Sequence, residues 1–173
     1  MLNPGQRAPE FKAEAYYPSG AIHFTSLNEY RSKWLVLFFW PLDFTYVCPT
    51  EIRAYNDLYT EFEHCNCAVL GVSVDSAHVH RAWTQQGLGK MSFPLIGDVQ
   101  RLLVETYDVL HDDGVALRAT YIIDPQGIVQ SVSANGLNVG RSARETLRLV
   151  KAFQSGAMTP CEWQPGQAYV VPM

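Results

Sequence analysis

Seven consecutive apolar residues, Trp34-Leu35-Val36-Leu37-Phe38-Phe39-Trp40, stop at Pro41. A run of this length, rich in aromatic residues and closed by proline, reads as a fully buried β-strand. Beyond it, apolar or aromatic residues fall at 52, 55, 58, 59 and 62, which predicts a helix over Ile52 to Glu63. The intervening stretch, Pro41-Leu42-Asp43-Phe44-Thr45-Tyr46-Val47-Cys48-Pro49-Thr50-Glu51, therefore turns from a strand into a helix. Pro49 suits the first position inside that helix, where a missing N–H costs nothing.

That placement decides what Cys48 can do. A cysteine at a helix N-terminus faces unpaired backbone N–H groups and the positive end of the macrodipole, and both favour thiolate over thiol. Thr45, three residues earlier, can aim its hydroxyl at the sulfur or at a substrate oxygen. Pro41 can shield the site from bulk water, and Glu51, in the first helical turn, is placed to hold a cation brought from elsewhere in the chain. The plainer alternative is a buried structural thiol, since free cysteine is among the most buried residue types. Thr45 and the strand-to-helix context weigh against it.

Phe44-Thr45-Tyr46-Val47-Cys48-Pro49-Thr50-Glu51 within Pro-x-x-x-Thr-x-x-Cys resembles the active-site signature of the peroxiredoxins, in the alkyl hydroperoxide reductase C branch. Further stretches are similar to the same family: Asn3 to Phe11, Leu70 to Ser76, His80-Arg81-Ala82-Trp83, and Leu117-Arg118-Ala119-Thr120-Tyr121-Ile122-Ile123-Asp124. The resemblance covers nearly the whole chain from Pro4 to Gly166. It implies a thioredoxin-like α/β fold, a mixed sheet flanked by helices with an N-terminal β-hairpin extension. It divides the chain into a body, residues 1–155, and a tail, residues 156–173, and calls for no cofactor or metal.

The totals agree with a single domain of ordinary composition: 173 residues, 47% hydrophobic and 17% charged. A net charge of −4 argues against a nucleic-acid or anionic-membrane footprint. No apolar run approaches a membrane span, and Met1-Leu2-Asn3-Pro4 lacks a charged-then-apolar signal pattern, so a cytoplasmic protein is expected.

Along the chain, Phe11 to Tyr16 alternates, Pro18-Ser19-Gly20 turns, and Ala21 to Thr25 returns as a hairpin partner. Ser26 to Ser32 reads as a short helical connection. Ala68 to Val74 is a second buried strand, residues 77–86 a helix, Phe93 to Asp98 a strand and turn, and Gln100 to Tyr107 a helix. Pro125-Gln126-Gly127 joins two strands, and a last helix runs from about Gly140 to Gln154. Cys65-x-Cys67 with His78-x-His80 invites a zinc reading, but one intervening residue in each pair is a poor fit to usual ligand spacing.

Arg118 enters an otherwise mostly apolar β-run, where an arginine is costly unless paired, so a carboxylate or oxyanion partner is expected. By resemblance it lies beside the reacting sulfur and is oriented by Glu51. The resemblance also makes Arg141 a second charge near the site; from the residues alone, a solvated helix-face charge fits nearly as well.

The tail departs from the family pattern Cys-Pro-Ala-x-Trp-x-Pro-Gly: Thr159 stands at the cysteine's place and Cys161 follows two residues later. A flexible tail covers that offset at about 3.3 Å per extended residue, which leaves Cys161 as the candidate resolving cysteine. Gln86 replaces the first glycine of Gly-Gly-Leu-Gly, and no Tyr-Phe closes the sequence, so resistance to over-oxidation is expected. The resemblance implies attack of Cys48 on a hydrogen or alkyl peroxide, a disulfide to Cys161 of a partner subunit, reduction by a thioredoxin-like or other dithiol, and a homodimer that assembles further into a decamer. Three rivals stand beside it. A disulfide exchanger would want Cys-x-x-Cys, and position 51 is Glu. A Cys–His hydrolase needs a fixed histidine that the sequence does not single out. A non-catalytic holdase would not react with peroxide at Cys48.

Overall fold

The computed structural model describes residues 1–171; Pro172 and Met173, the end of the expected tail, lie outside the described residues. Its strands are β1 (Lys12–Tyr16), β2 (Ile22–Ser26), β3 (Trp34–Phe39), β4 (Cys67–Ser73), β5 (Leu95–Gly97), β6 (Arg118–Ile123) and β7 (Val129–Asn135). They form one mixed sheet in the order β2-β1-β5-β4-β3-β6-β7. The helices are α1 (Cys48–Asp57), α2 (Tyr59–His64), α3 (Ala77–Trp83), α4 (Leu102–Thr106) and α5 (Ala143–Gln154).

The apolar run is the middle of this sheet. β3 pairs parallel with β4 (Leu37 opposite Leu70) and antiparallel with β6 (Leu37 opposite Tyr121). Because successive strand side chains point to opposite faces, β3 serves two cores at once. Leu35, Leu37 and Phe39 face one, with Leu70, Val72, Tyr107 and Tyr121. Val36, Phe38 and Trp40 face the other, with Cys48, Ile52, Tyr55, Phe62 and Val150. Burying each such side chain is worth about 1.5–3 kcal/mol, which leaves this strand little freedom of register.

The second core places the site. Cys48, Ile52 and Tyr55 lie on one stripe of α1, and the Tyr55 ring stacks on Phe38 with centroids 4.3 Å apart. Gly71 of β4 makes room for this arrangement: a Cβ there would stand 2.6 Å from the Trp40 ring. The hairpin expected at the N-terminus forms, with Lys12 opposite Ser26, and β1 joins the main sheet through Ala15 opposite Ile96.

Two helices break where the sequence expectation continues them. The helix predicted to continue to Glu63 breaks at Leu58 (φ −96°, ψ 2°), so α1 and α2 are separate. Periodicity alone does not report such a break, because Leu58 and Phe62 still face the core. The helix predicted over 77–86 ends at Trp83, and Thr84–Leu88 forms a wider turn closed by Gly89 N–H on the Thr84 carbonyl at 3.2 Å. Gly89 at φ 96° supplies the left-handed conformation this closure uses. Among the described residues, no helix is long and apolar enough to cross a membrane.

Candidate active site

Cys48 is the first residue of α1, preceded by Val47 as its cap and followed by Pro49. Its side chain is fully buried. The backbone N–H groups of Val47 and Cys48 donate to no protein acceptor among the described residues, as expected for the first turn of a helix. Both are thus available to a bound oxygen.

Across the sheet, β6 brings in Arg118. Its Nη1 lies 3.4 Å from Cys48 Sγ and 2.7 Å from Glu51 Oε2, and its Nε donates to the Leu137 carbonyl at 2.7 Å. The carboxylate partner predicted for this arginine is therefore Glu51. Glu51 in turn accepts from a second arginine. Arg141 donates from its backbone N and its Nε to Oε1, both at 2.8 Å, and from Nη2 to Oε2 at 3.0 Å. Side-chain exposures of 4%, 1% and 5% for Arg118, Glu51 and Arg141 put the triad almost entirely out of water.

Burial alone pushes the Glu51 carboxyl up, but the hydrogen bonds and charges of Arg141 and Arg118 outweigh it and hold the group below its ordinary value. Two cations and one anion leave a net positive charge next to the sulfur. Arg141 is fixed further by the Ala119 carbonyl and by Thr120 Oγ1 at 3.1 Å, and its guanidinium lies 5.7 Å over the Phe38 ring. It is not the solvated helix-face charge that its position beside α5 equally allowed.

Pro41 is buried at the end of the β3 run. Thr45 is half-buried, and its hydroxyl donates to the Leu42 carbonyl at 2.9 Å. Of the two targets expected for this hydroxyl, the sulfur of Cys48 or a substrate oxygen, the sulfur is not hydrogen-bonded to it among the described residues. The reason is local, since a threonine in a tight turn readily bonds the backbone three residues back. Its oxygen lone pairs remain free to accept.

A second buried network steadies the same loop. Asp43 Oδ1 accepts from Trp40 Nε1 at 2.9 Å, and Oδ2 lies 2.6 Å from His80 Nδ1. Asp43 N donates to Asp75 Oδ2 at 2.9 Å, and His80 Nε2 meets the Ile96 carbonyl at 3.0 Å. Burial pushes the Asp43 carboxyl up against the opposing pull of His80. The sequence reading missed this pair, although a histidine in the second turn of α3 on an apolar stripe was a usable signal.

The four cysteines are all free thiols. Burial pushes the Cys65 and Cys67 thiols up, which makes both sluggish nucleophiles. Cys161 is exposed, but the tail is not a loose strand: Trp163 is buried, and its carbonyl accepts from Arg148 Nη1 at 2.9 Å. A groove of about 450 Å³ between β1, Phe24 and α4 contains none of these residues.

Sheet order and a buried cysteine beside a guanidinium together define a thioredoxin-like protein. Comparison with known proteins narrows the class. Residues 4–132 match the AhpC/TSA family. Peroxiredoxin-1 of Gallus gallus is 47% identical over 178 residues, spanning 97% of this chain and 89% of that protein. The reduced 2-Cys peroxiredoxin of Plasmodium vivax superposes with a TM-score of 0.94 at 38% identity, covering 98% of this chain and 93% of that one. AhpC of Mycobacterium tuberculosis gives 0.85 at 39% identity, over 90% and 95%. The chain belongs to the AhpC/TSA family, among the 2-Cys peroxiredoxins, and is a thiol-dependent peroxidase.

Proposed function

We propose that Cys48 is the attacking thiolate and that Arg118, Glu51, Thr45 and Pro41 make its pocket. The observation that carries this reading is the Arg118 guanidinium, 3.4 Å from Cys48 Sγ and locked by Glu51. Cys48 Sγ attacks the terminal oxygen of ROOH, the O–O bond breaks, and Cys48-SOH forms with RO⁻, which takes a proton from solvent and leaves as ROH. Charge builds on the leaving oxygen. Arg118 and the N–H groups of Val47 and Cys48 oppose it as donors already in place within a dry pocket. Thr45, its proton committed to Leu42, accepts from the peroxide O–H and so orients the substrate. Pro41 keeps water from the sulfur.

Cys161 then condenses with the sulfenate to a disulfide, the thiol and sulfenic acid losing water. In this reading residues 1–155 are the peroxidase body and 156–173 the tail that carries the second thiol. The partner sulfur comes from a second copy of the chain. A homodimer is supported by β7, which lies at the sheet edge with one side open to another strand; assembly of dimers into a decamer is the larger form the resemblance implies. A thioredoxin-like dithiol restores both thiols, and the cytoplasm, which maintains such dithiols, is the proposed compartment.

The test is a non-reducing gel after one equivalent of hydrogen peroxide. The wild type should run as a disulfide-linked dimer, and Cys161→Ser as a monomer. A linked dimer in both would remove Cys161 from the reaction.

A further inference from the structure

A histidine and a carboxyl lie enclosed beneath the turn that carries Thr45. His80 is the one buried histidine among the described residues, and the Asp43 side chain is as fully covered. The Ile96 carbonyl, 3.0 Å from His80 Nε2, can only accept, so Nε2 carries a proton. Nδ1 then faces Asp43 Oδ2 at 2.6 Å, with one proton to be placed between them. That proton sits on the carboxyl beside a neutral ring, or on the ring beside a carboxylate. Without it, a lone pair of Nδ1 would face an anion.

The elements packed around the pair favour keeping the proton. β3 contributes Trp40 Nε1, which donates to Asp43 Oδ1 at 2.9 Å, and β5 contributes the Ile96 carbonyl. The turn after β4 contributes Asp75, whose Oδ2 accepts from Asp43 N at 2.9 Å and from Ser73 Oγ at 2.7 Å. On α3, His78 and Arg81 are exposed. Burial first, and the charge of Asp75 after it, resist a bare carboxylate at Asp43.

The turn depends on this anchor. Asp43 stands between Leu42, whose carbonyl takes the Thr45 hydroxyl proton, and Phe44, whose φ of 53° lies in the left-handed region. A residue with a Cβ keeps that conformation where its surroundings fix it. Phe44 itself is exposed, whereas Asp43 is bonded through N, Oδ1 and Oδ2.

We propose that Asp43 and His80 are positioning residues that share a single proton, and that this proton holds the turn from Pro41 to Thr45 in the shape that orients the peroxide. This rests on the reading of Cys48 as the attacking thiolate with Thr45 in its pocket. As pH rises the proton passes to hydroxide, giving water. The pair separates, Phe44 is released and Thr45 loses its direction. Sulfenate formation should then slow about tenfold, the share of one oriented hydrogen bond.

Asp43→Asn isolates the proton. Its amide oxygen accepts from Trp40 and its NH₂ donates to Nδ1 of a neutral His80, so it stands in for the shared proton at every pH. Asp43→Ala makes neither bond. The experiment measures stopped-flow sulfenate formation with hydrogen peroxide in wild type and both variants from about pH 6 to about pH 9, each rate divided by the thiolate fraction read from ultraviolet absorbance. At the acid end Asp43→Asn should react within about threefold of wild type and Asp43→Ala about tenfold slower. With rising pH, wild type should fall towards Asp43→Ala while Asp43→Asn holds its rate.

Should Asp43→Ala fail to fold, the imidazole ¹⁵N spectrum carries the test. Nε2 of His80 should stay protonated throughout, with the Nδ1 signal of wild type moving over the same pH range as the rate and that of Asp43→Asn standing still. A constant ratio of wild type to Asp43→Asn across the range, Asp43→Asn as slow as Asp43→Ala, or an unprotonated Nε2 overturns the shared proton. Absence of a Cys48 sulfenate in wild type at any pH would instead overturn the reading of Cys48.

Discussion

Arg118 Nη1 stands between two partners, 3.4 Å from Cys48 Sγ and 2.7 Å from Glu51 Oε2. One nitrogen thus couples the reacting sulfur to a buried carboxylate in the same first turn of the helix. Neither contact is optional for the other: the carboxylate fixes the guanidinium, and the guanidinium faces the sulfur.

Arg118→Ala should slow sulfenate formation by about 10²–10³-fold, the usual loss when one preorganised donor to a developing charge is removed. Arg118→Lys, which keeps a charge but not the planar fork, should recover only part of it. Stopped-flow rates with hydrogen peroxide, measured beside unfolding curves, check that the rate falls further than the stability.

Glu51→Gln should lower stability by about 3–5 kcal/mol, because two buried guanidinium groups lose the carboxylate they share. The amide adds a second difficulty, since its NH₂ donates where the carboxylate oxygen accepts. Urea unfolding of the variant and wild type measures the difference.

The same carboxyl predicts an acid limb. Its value in the folded chain lies below the ordinary one, so its contribution is fully present above the unfolded value of about 4.3 and is lost as pH falls through the folded value. Asp43 and Asp98 act in the opposite sense, since burial pushes both up: their contribution is present at low pH and is lost as pH rises through their folded values. The clean observable is therefore the difference between wild type and Glu51→Gln. It should be large at pH 7 and shrink below about pH 4.

Cys65→Ser should leave peroxide turnover within about twofold of wild type, since burial holds that thiol in its slow, protonated form. Steady-state assays with a dithiol reductant decide it. A tenfold loss would give Cys65 a part in the cycle.

Much of this site was legible before the fold was known, for a physical reason. Strand, proline and helix start are local signals, and they place Cys48, Thr45 and Pro41 within one turn. Arg118 announced a partner because an unpaired guanidinium in a buried strand is too costly to persist. Arg141 was not resolved in this way: it reaches Glu51 across 90 residues only because the segment after β7 folds back over α1. The Asp43–His80 pair is likewise assembled between a loop and α3. For Thr45 the sequence left sulfur and substrate oxygen open, and the Leu42 carbonyl that takes its proton is a turn contact no residue pattern announces. The tail's prolines and glycines read as a loop, and its closure on Trp163 depends on contacts that no local pattern encodes.

The most direct test traps the sulfenate. Reduced protein is mixed with one equivalent of hydrogen peroxide in the presence of dimedone, and each cysteine is mapped by mass spectrometry. The account predicts a rapid adduct at Cys48, absent in Cys48→Ser together with all peroxide turnover. An adduct at Cys65, Cys67 or Cys161 in its place, or turnover that survives in Cys48→Ser, would contradict it.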